Sequence, residues 1–255
     1  MNTSVADRLA ALRTRHGAAL LLNSFAPPAP DAQPLLADDD GIAWLQPDHA
    51  LHRFFFAAAT PAFITRAAQA CPPGLPAVAD VVTRADRHNP AVTDALAAGG
   101  FQSHSVFRRI RNAKLPVFCA NERLDFARPD ETDAVLALLH AHFDPLNSHF
   151  PARADLARWI DDRTVLASRG PAGEPLGLSV FHLQGRVCNY NYLLNRTTDL
   201  ADAMSLLFNT YAELHRRGVT SALAWVDETN TGVLRMHQRF GYTPDGTVDY
   251  ILVKP

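Results

Sequence analysis

The chain has 255 residues, a formal net charge of −2 and a pI near 6.6, with 47% hydrophobic and 20% charged residues. This apolar content is enough to form a core and excludes wholesale disorder. The near-neutral charge gives no basic stripe for nucleic acid, and the length allows one large domain or two small ones.

Cysteine usage and hydropathy exclude further classes of protein. The three cysteines, Cys71, Cys119 and Cys188, form no CxxC pair, so neither a disulfide framework nor a zinc site is predicted. Residues 1–17 lack the apolar core of a secretory signal. No run approaches the roughly 18 apolar residues that span a membrane. We therefore expect a cytoplasmic protein that binds neither nucleic acid nor membranes.

Helical and strand patterns alternate along the first half of the chain. They predict helices over 5–15, 63–71 and 91–98, and strands over 19–22, 42–45, 51–57, 77–83 and 101–110. Between the first two strands, several prolines and an acidic run at residues 38–40 predict an irregular loop.

Residues 112–121 carry no strong periodicity and are predicted to be a linker, after which a second set of elements begins. Helices are predicted over 129–143, 153–161, 199–217 and 232–240, and strands over 123–127, 165–168, 175–184, 187–194, 220–226 and 247–253. Gly218 follows the longest helix, as is usual at a helix C-terminus. The mixture of elements predicts the α/β class.

The two halves share a motif. Asn89 precedes Phe101 by twelve residues, and Asn230 precedes Tyr242 by the same interval. Each copy follows a predicted strand and precedes another, and the order strand, helix, strand, helix, strand repeats around it. We therefore predict a duplicated α/β unit, with domains over 1–115 and 122–255.

Residues 223–242, LAWVDETNTGVLRMHQRFGY, resemble the late strand, Asn-started helix and Gly-aromatic turn of GNAT N-acyltransferases. The second half resembles that family and the first half a shortened, degenerate copy. The resemblance implies mixed β-sheets flanked by helices in two GNAT-like units. It also implies direct transfer of an acetyl or other acyl group from acyl-CoA to a primary amine, which we expect to belong to a small molecule, without a metal.

In that family acyl-CoA lies in a V-shaped opening between two parallel strands, here 187–194 and 220–226, with its pyrophosphate at the next helix N-terminus. The family pattern, Arg or Gln, two residues, Gly, one residue, Gly or Ala, corresponds to Arg196-Thr-Thr-Asp-Leu-Ala201. A register two residues later aligns the helix leucines better but loses the arginine. The implied donor contacts are Leu193, Leu194, Asn195, Arg196, Thr197, Thr198, Ala201 and Asn230.

Asp199 stands where the family pattern has glycine, and its carboxylate would compete with a phosphate for the same amides. Two further interpretations therefore stay open beside acyl-CoA. The donor is an acyl group on the phosphopantetheine of an acyl carrier protein, or the protein is a non-catalytic GNAT-like module that binds a ligand.

His237 occupies the position at which the family commonly has a tyrosine that protonates the leaving thiolate. A histidine titrates near neutral pH and can donate a proton, although a structural helix histidine fits the pattern equally well. The matching residue of the first half, Leu96, has no proton to donate, so only the second half is predicted to be catalytic. Asn230 either caps its helix or contacts the pantetheine amides or the acceptor.

The acceptor pocket of the family lies in the helix-turn region that here contains His140, His142 and Asp144. His140 and His142 are two residues apart and point to different helix faces, so a metal site is not predicted. These three residues either contact the acceptor or act as a general base through water. Asp227, Glu228 and Tyr190 are further candidate acceptor contacts. Strict alternation along the strand places Tyr190 and Tyr192 on one face.

Overall fold

The computed structural model describes residues 4–24, 27–29, 32–87, 90–118, 125–197 and 200–255. The chain divides into two compact units. Unit 1 comprises Met1–Phe107 and Gly246–Pro255, and unit 2 comprises Arg108–Asp245. The predicted domain limits, 1–115 and 122–255, stay a prediction.

The strand predicted over residues 123–127 is not confirmed, because Phe126 makes only an isolated bridge with Leu166, and residues 123 and 124 lie outside the described part of the chain. The other helices and strands follow the predicted order, with one additional strand over residues 33–38. In chain order they are α1 (Val5–His16), β1 (Leu21–Leu22), β2 (Gln33–Asp38), β3 (Gly41–Asp48), β4 (Leu51–Ala58), α2 (Pro61–Gln69), β5 (Ala77–Arg84), α3 (Pro90–Ala98), β6 (Gln102–Asn112), α4 (Thr132–His142), α5 (Arg153–Asp161), β7 (Val165–Arg169), β8 (Pro175–Gln184), β9 (Val187–Asn195), α6 (Leu200–Arg216), β10 (Ser221–Asp227), α7 (Thr231–Arg239) and β11 (Thr243–Lys254). No helix in the described part of the chain is long and apolar enough to cross a membrane.

Unit 1 is built on a mixed sheet. Strands β2, β3 and β4 form an antiparallel meander, β4 runs parallel to β5, and β5 pairs antiparallel with residues 247–254 of β11. Helices α2 and α3 bury one face of this sheet, and α1 packs on the other. Because Thr60 caps the N-terminus of α2 and Pro61 occupies its first position, the helix starts immediately after β4.

The prediction of an irregular loop over residues 27–40 is wrong for its second half, because residues 33–38 form strand β2. This strand pairs on one side only, with β3, among the described strands. A proline is tolerated on such an edge strand because its missing N–H is not needed by a second neighbour. Pro34 is therefore compatible with the sheet, and the register with β3 shifts directly after it.

Unit 2 repeats the same plan. Strands β7, β8 and β9 form an antiparallel meander, and β9 runs parallel to β10. Helices α4 and α5 bury one face, on which Val180 lies. Helices α6 and α7 cover the opposite face, on which the next residue, Phe181, lies. The site described below opens between β9 and β10.

The repeated motif has the same local structure in both units. The N–H of Phe101 donates to the carbonyl of Leu96 at 3.0 Å, and the N–H of Tyr242 donates to the carbonyl of His237 at 3.1 Å. This is the bond that closes a helix C-terminus when the preceding residue is left-handed. The preceding residues are Gly100, with φ 98°, and Gly241, with φ 86°. The sequence repeat therefore marks equivalent helix ends.

Candidate active site

Strands β9 and β10 diverge, as predicted. They pair in parallel only where Val187, Cys188 and Asn189 face residues 221–223, and no further pairing between them follows. Beyond Asn189, β9 continues to Asn195 with β8 on its other side. Its edge toward β10 therefore offers backbone N–H and C=O groups without a partner strand among the described strands.

A β-bulge at Asn191 reverses the direction in which the side chains of β9 point. Val180 and Phe181 are adjacent on β8, but they face Tyr192 and Tyr190, so Asn191 is the extra residue. Tyr190 consequently packs under α6, whereas Tyr192 packs under α4 and α5. The prediction that both tyrosines share a face is wrong, because alternation holds only where the register is unbroken.

Three tyrosines and His237 are buried together on the α6 side of the sheet. The hydroxyls of Tyr190, Tyr211 and Tyr242 and the Nδ1 atom of His237 are buried without a hydrogen-bond partner within the described residues. The Tyr242 hydroxyl lies close enough to those of Tyr190 and Tyr211 to shift their pKa values. None of these contacts has the geometry of a normal hydrogen bond. A buried polar group left unpaired costs about 1–3 kcal/mol. Tyr190 is the first residue of β9 beyond its pairing with β10, so this polar cluster begins where the two strands separate and is the candidate reaction centre.

Burial sets the protonation states of this cluster. It raises the pKa of Tyr211 to about 12 and raises those of Tyr190 and Tyr242 as well, so all three hydroxyls keep their protons at neutral pH. His237 is only 3% exposed, and burial lowers its pKa to about 4. Its ring lies 4.9 Å from that of Tyr242 and is neutral at neutral pH. The predicted role of His237 as a proton donor stays a prediction.

The burial of His237 has a signal in the sequence. Val233, Met236, His237 and Phe240 are spaced as i, i+3, i+4 and i+7, which is the apolar stripe of an amphipathic helix. In the structure the other three side chains pack against the core under α6 and α7. The histidine therefore belongs to the inward face of α7.

Asn230 caps α7. Its Oδ1 atom accepts the N–H of Val233 at 3.2 Å, and its side chain is exposed. Of the roles predicted for it, the structure shows capping, and a contact with the donor or the acceptor stays a prediction. Its counterpart in the first half, Asn89, lies outside the described residues.

The predicted donor residues surround the end of β9. Leu193 points to the α6 side and Leu194 to the α4 side. The Oδ1 atom of Asn195 accepts the N–H of Thr197 at 3.1 Å, and the backbone N–H of Arg196 donates to Leu176 at 2.9 Å. The side chains of Asn195 and Arg196 are exposed.

Ala201 lies exposed in the first turn of α6. Thr198 and Asp199 lie outside the described residues. The structure thus brings part of the predicted phosphate site to one edge of β9.

The predicted acceptor residues His140, His142 and Asp144 are all exposed near the end of α4. The His140 ring contacts the ring of Phe150 at 4.2 Å. Nδ1 of His142 lies 2.9 Å from the carbonyl oxygen one turn earlier, and Asp144 accepts the backbone N–H two residues later at 2.9 Å. The contacts of His142 and Asp144 stabilise the end of α4 and the turn that follows it. An acceptor role for these residues stays a prediction.

The acceptor candidate Asp227 ends β10. Its Oδ1 atom accepts the backbone N–H and the hydroxyl of Thr229 at 2.8 and 2.6 Å, so it organises the turn before α7. The neighbouring candidate, Glu228, pairs with Arg108 at 3.0 Å. Within the described residues, no group of three His, Cys, Asp or Glu side chains could hold a metal ion.

Tyr192 was not among the predicted site residues. Its hydroxyl donates to the carbonyl of His149 at 2.6 Å, and its ring packs edge-on against Phe143 at 5.1 Å. It therefore fastens the segment after α4 to the sheet beside the opening. The signal available in the sequence was the polar-aromatic run that contains both Tyr190 and Tyr192.

Comparison with solved structures decides the type of fold. The chain is similar to a GCN5-related N-acetyltransferase from Sphaerobacter thermophilus, with a TM-score of 0.61 and 13% identity over 84% of this chain and 76% of that one. A GCN5-related N-acetyltransferase from Kribbella flavida gives a TM-score of 0.55 and 18% identity over 99% and 96%. A tandem GNAT protein from the clavulanic acid biosynthesis pathway gives a TM-score of 0.54 and 13% identity over 97% of this chain and 87% of that one. The fold of this chain is GNAT-like.

The predicted class, mixed α/β with GNAT-like units, is confirmed by this likeness. At these identities the comparison establishes the GNAT-like fold alone. No protein-family model and no curated protein matches the chain.

Proposed function

We propose that unit 2 is an N-acyltransferase that moves an acetyl or other acyl group from acyl-CoA directly to a primary amine of a small molecule. The observation that carries this proposal is the divergence of β9 from β10 beside the unpaired hydroxyls of Tyr190, Tyr211 and Tyr242. Two of the similar structures are described as N-acetyltransferases, which supports the same chemistry.

The residues present fit an acyl-pantetheine chain. Such a chain is extended and carries two amides, and the edge of β9 beyond Asn189 presents backbone donors and acceptors at strand spacing. The unpaired buried hydroxyls are polar groups for which a thioester end would provide a partner. When bound, the donor supplies an activated acyl group.

The donor phosphates would be held where β9 ends and α6 begins. The first-turn amides of α6 and the exposed guanidinium of Arg196 both favour an anion. Because Asp199 introduces a competing carboxylate at this point, an acyl carrier protein remains a second candidate donor. The phosphopantetheine arm of a carrier lacks the nucleotide phosphates of CoA.

Transfer to an amine requires a neutral amine and a proton for the departing sulfur. The hydroxyls of Tyr190 and its neighbours carry protons at neutral pH because burial raises their pKa. The exposed carboxylate of Asp144, the partly buried carboxylate of Asp227 and the imidazole of His140 are the predicted acceptor contacts. We propose that they position the amine and accept its proton.

The test is a thiol-release assay with acetyl-CoA and longer acyl-CoAs, each offered with a panel of small primary amines. We expect amine-dependent release of CoA and formation of the amide, detected by mass spectrometry. Parallel reactions with acyl carrier protein separate the two donors. Absence of release with every donor would contradict the enzyme and leave the non-catalytic ligand-binding module.

A further inference from the structure

Unit 1 contains a second opening of the same construction. Strands β4 and β5 pair in parallel only where His52 faces Ala77 and Arg53 faces Val78. Strand β4 then continues to Ala58, with β3 along its other edge. Helix α2 follows β4 as α6 follows β9. The edge of β4 beyond Arg53 is thus the counterpart of the edge of β9 beyond Asn189.

In unit 1 this edge is occupied by the chain itself. The β1 segment, residues 21–23, runs antiparallel to β4, with Leu21 facing Ala58 and Leu22 facing Ala57. The backbone N–H of Asn23 donates to the carbonyl of Phe56 at 3.4 Å. The ladder therefore extends over the far end of β4.

The side chain of Asn23 continues the ladder toward the apex of the opening. Its Oδ1 atom accepts the N–H of Phe56 at 2.8 Å, and its Nδ2 atom donates to the carbonyl of Phe54 at 2.9 Å. The carboxamide is buried and acts as a substitute for a backbone amide. Together with β1 it satisfies backbone groups of β4 from Phe54 to Ala58.

Helix α1 anchors the β1 segment. Its residues Leu9 and Leu12 are buried against Ile42 and Trp44 of β3, and the same apolar cluster includes Leu20, which leads into β1. Burying leucine-sized side chains contributes about 1.5–3 kcal/mol each. The segment is consequently part of the folded unit.

We infer that the β1 segment is an intramolecular occupant of the donor-type opening of unit 1. It takes the place on β4 that an extended, amide-bearing donor takes on β9. The edge of β4 is therefore closed to such a ligand, and the chain binds one acyl donor, in unit 2. The number of donors bound rests on the proposed function, whereas the occupancy of β4 does not.

The first experiment is a titration of the full chain with CoA, followed by native mass spectrometry and calorimetry. We expect one CoA per chain. Two CoA molecules per chain at saturation would overturn the inference. If no CoA binds, the proposed CoA donor fails, and the second experiment alone decides the occupancy of β4.

The second experiment measures amide exchange over residues 54–58 in Asn23→Ala, without any ligand. We expect the Phe56 amide to exchange at least about 10-fold faster than in the wild type. Loss of the two hydrogen bonds of the Asn23 side chain lowers the free energy of local opening by about 1.4 kcal/mol or more, which corresponds to that factor. Asn23→Asp, which keeps the acceptor but loses the donor to Phe54, provides a second variant in case the first does not fold. Gln102→Ala, exposed in the same unit, is the control. Unchanged exchange in both Asn23 variants would overturn the inference.

Discussion

The two units contain the same diverging pair of parallel strands, but only unit 2 leaves the diverging edge open. In unit 1 the β1 segment and the Asn23 carboxamide cover the edge of β4. In unit 2 no strand of the described chain covers the edge of β9 beyond Asn189. One fold can therefore hold a strand-like partner from its own chain or leave the same place for a ligand.

The side chains around the two openings differ in the same sense. Phe54 and Tyr190 are each the first residue beyond the parallel pairing, and Phe101 corresponds to Tyr242 in the repeated motif. In unit 1 the matched positions form an apolar cluster, with the rings of Phe54 and Phe101 5.3 Å apart. In unit 2 they carry polar groups without hydrogen-bond partners. Unit 2 therefore keeps groups that reduce stability, which is typical of a functional site.

The largest effect is expected when the polar residues of unit 2 are replaced by the apolar residues at the matching positions of unit 1. The triple variant Tyr190→Phe, His237→Leu, Tyr242→Phe removes three unpaired buried groups. We expect turnover to fall on the order of 10³-fold, the range of proton-transfer catalysis, while the free energy of unfolding stays equal or rises. Thiol release and denaturant unfolding measure the two quantities.

Tyr192→Phe is the matched control, because it removes a hydroxyl from the opposite face of the same strand. It should lose about 1 kcal/mol of stability and retain far more turnover than the triple variant. Full turnover in the triple variant would show that the polar cluster has no part in the reaction.

The units should also respond to pH in opposite directions. In unit 2, burial lowers the pKa of His237 from 6.5 to about 4, so the unfolded state binds the proton first and stability is lost as pH falls from 6.5 toward 4. In unit 1, burial and the Asp80 carboxylate raise the pKa of Asp249 to about 7, although Arg53 opposes this. Stability from Asp249 is therefore present below pH 3.8 and is lost as pH rises through 7.

The pKa shift of His237 changes the free energy of unfolding by about 3 kcal/mol over its pH range, and the pKa shift of Asp249 changes it by about 4 kcal/mol. Amide exchange, corrected for its intrinsic pH dependence, reports each unit separately. We expect Asp249→Asn to abolish the loss in unit 1 and His237→Leu to abolish that in unit 2. Parallel pH profiles in both units would contradict the assignment.

A smaller effect is expected at the helix that follows each diverging strand. Ala201 and Ala62 are the second residues of α6 and α2, and both are exposed. An aspartate is favourable in the first turn of either helix, so both variants should fold. Ala201→Asp should weaken acetyl-CoA binding about 10-fold or more by repelling the donor phosphates, whereas Ala62→Asp should not change it. Equal effects, measured by calorimetry, would contradict the placement of the donor.

Much of this contrast could be predicted from the sequence, because it depends on local periodicity. The order of most elements, the Asn-to-aromatic repeat and the contrast between Leu96 and His237 at matching positions are all visible in the linear pattern. The bulge at Asn191 could not be predicted, since it exists only in the register between β8 and β9. The pairing of Asn23 with β4 is likewise a contact between residues more than thirty positions apart.

The convergence of Tyr190, Tyr211 and Tyr242 also escaped prediction. Each belongs to a different element, and each fits the hydrophobic pattern of its own strand or helix. Only the packing of α6 and α7 on the sheet brings the hydroxyls to one place. The sequence motif around Asn230 indicated the region, and tertiary structure identified its polar groups.

The most direct test of the account is amide exchange of the full wild-type chain with and without saturating acetyl-CoA. It compares residues 190–195 of β9 with residues 54–58 of β4. Binding of acetyl-CoA should slow exchange over 190–195 and leave exchange over 54–58 unchanged. Protection over 54–58, or saturation with no protection over 190–195, would contradict it.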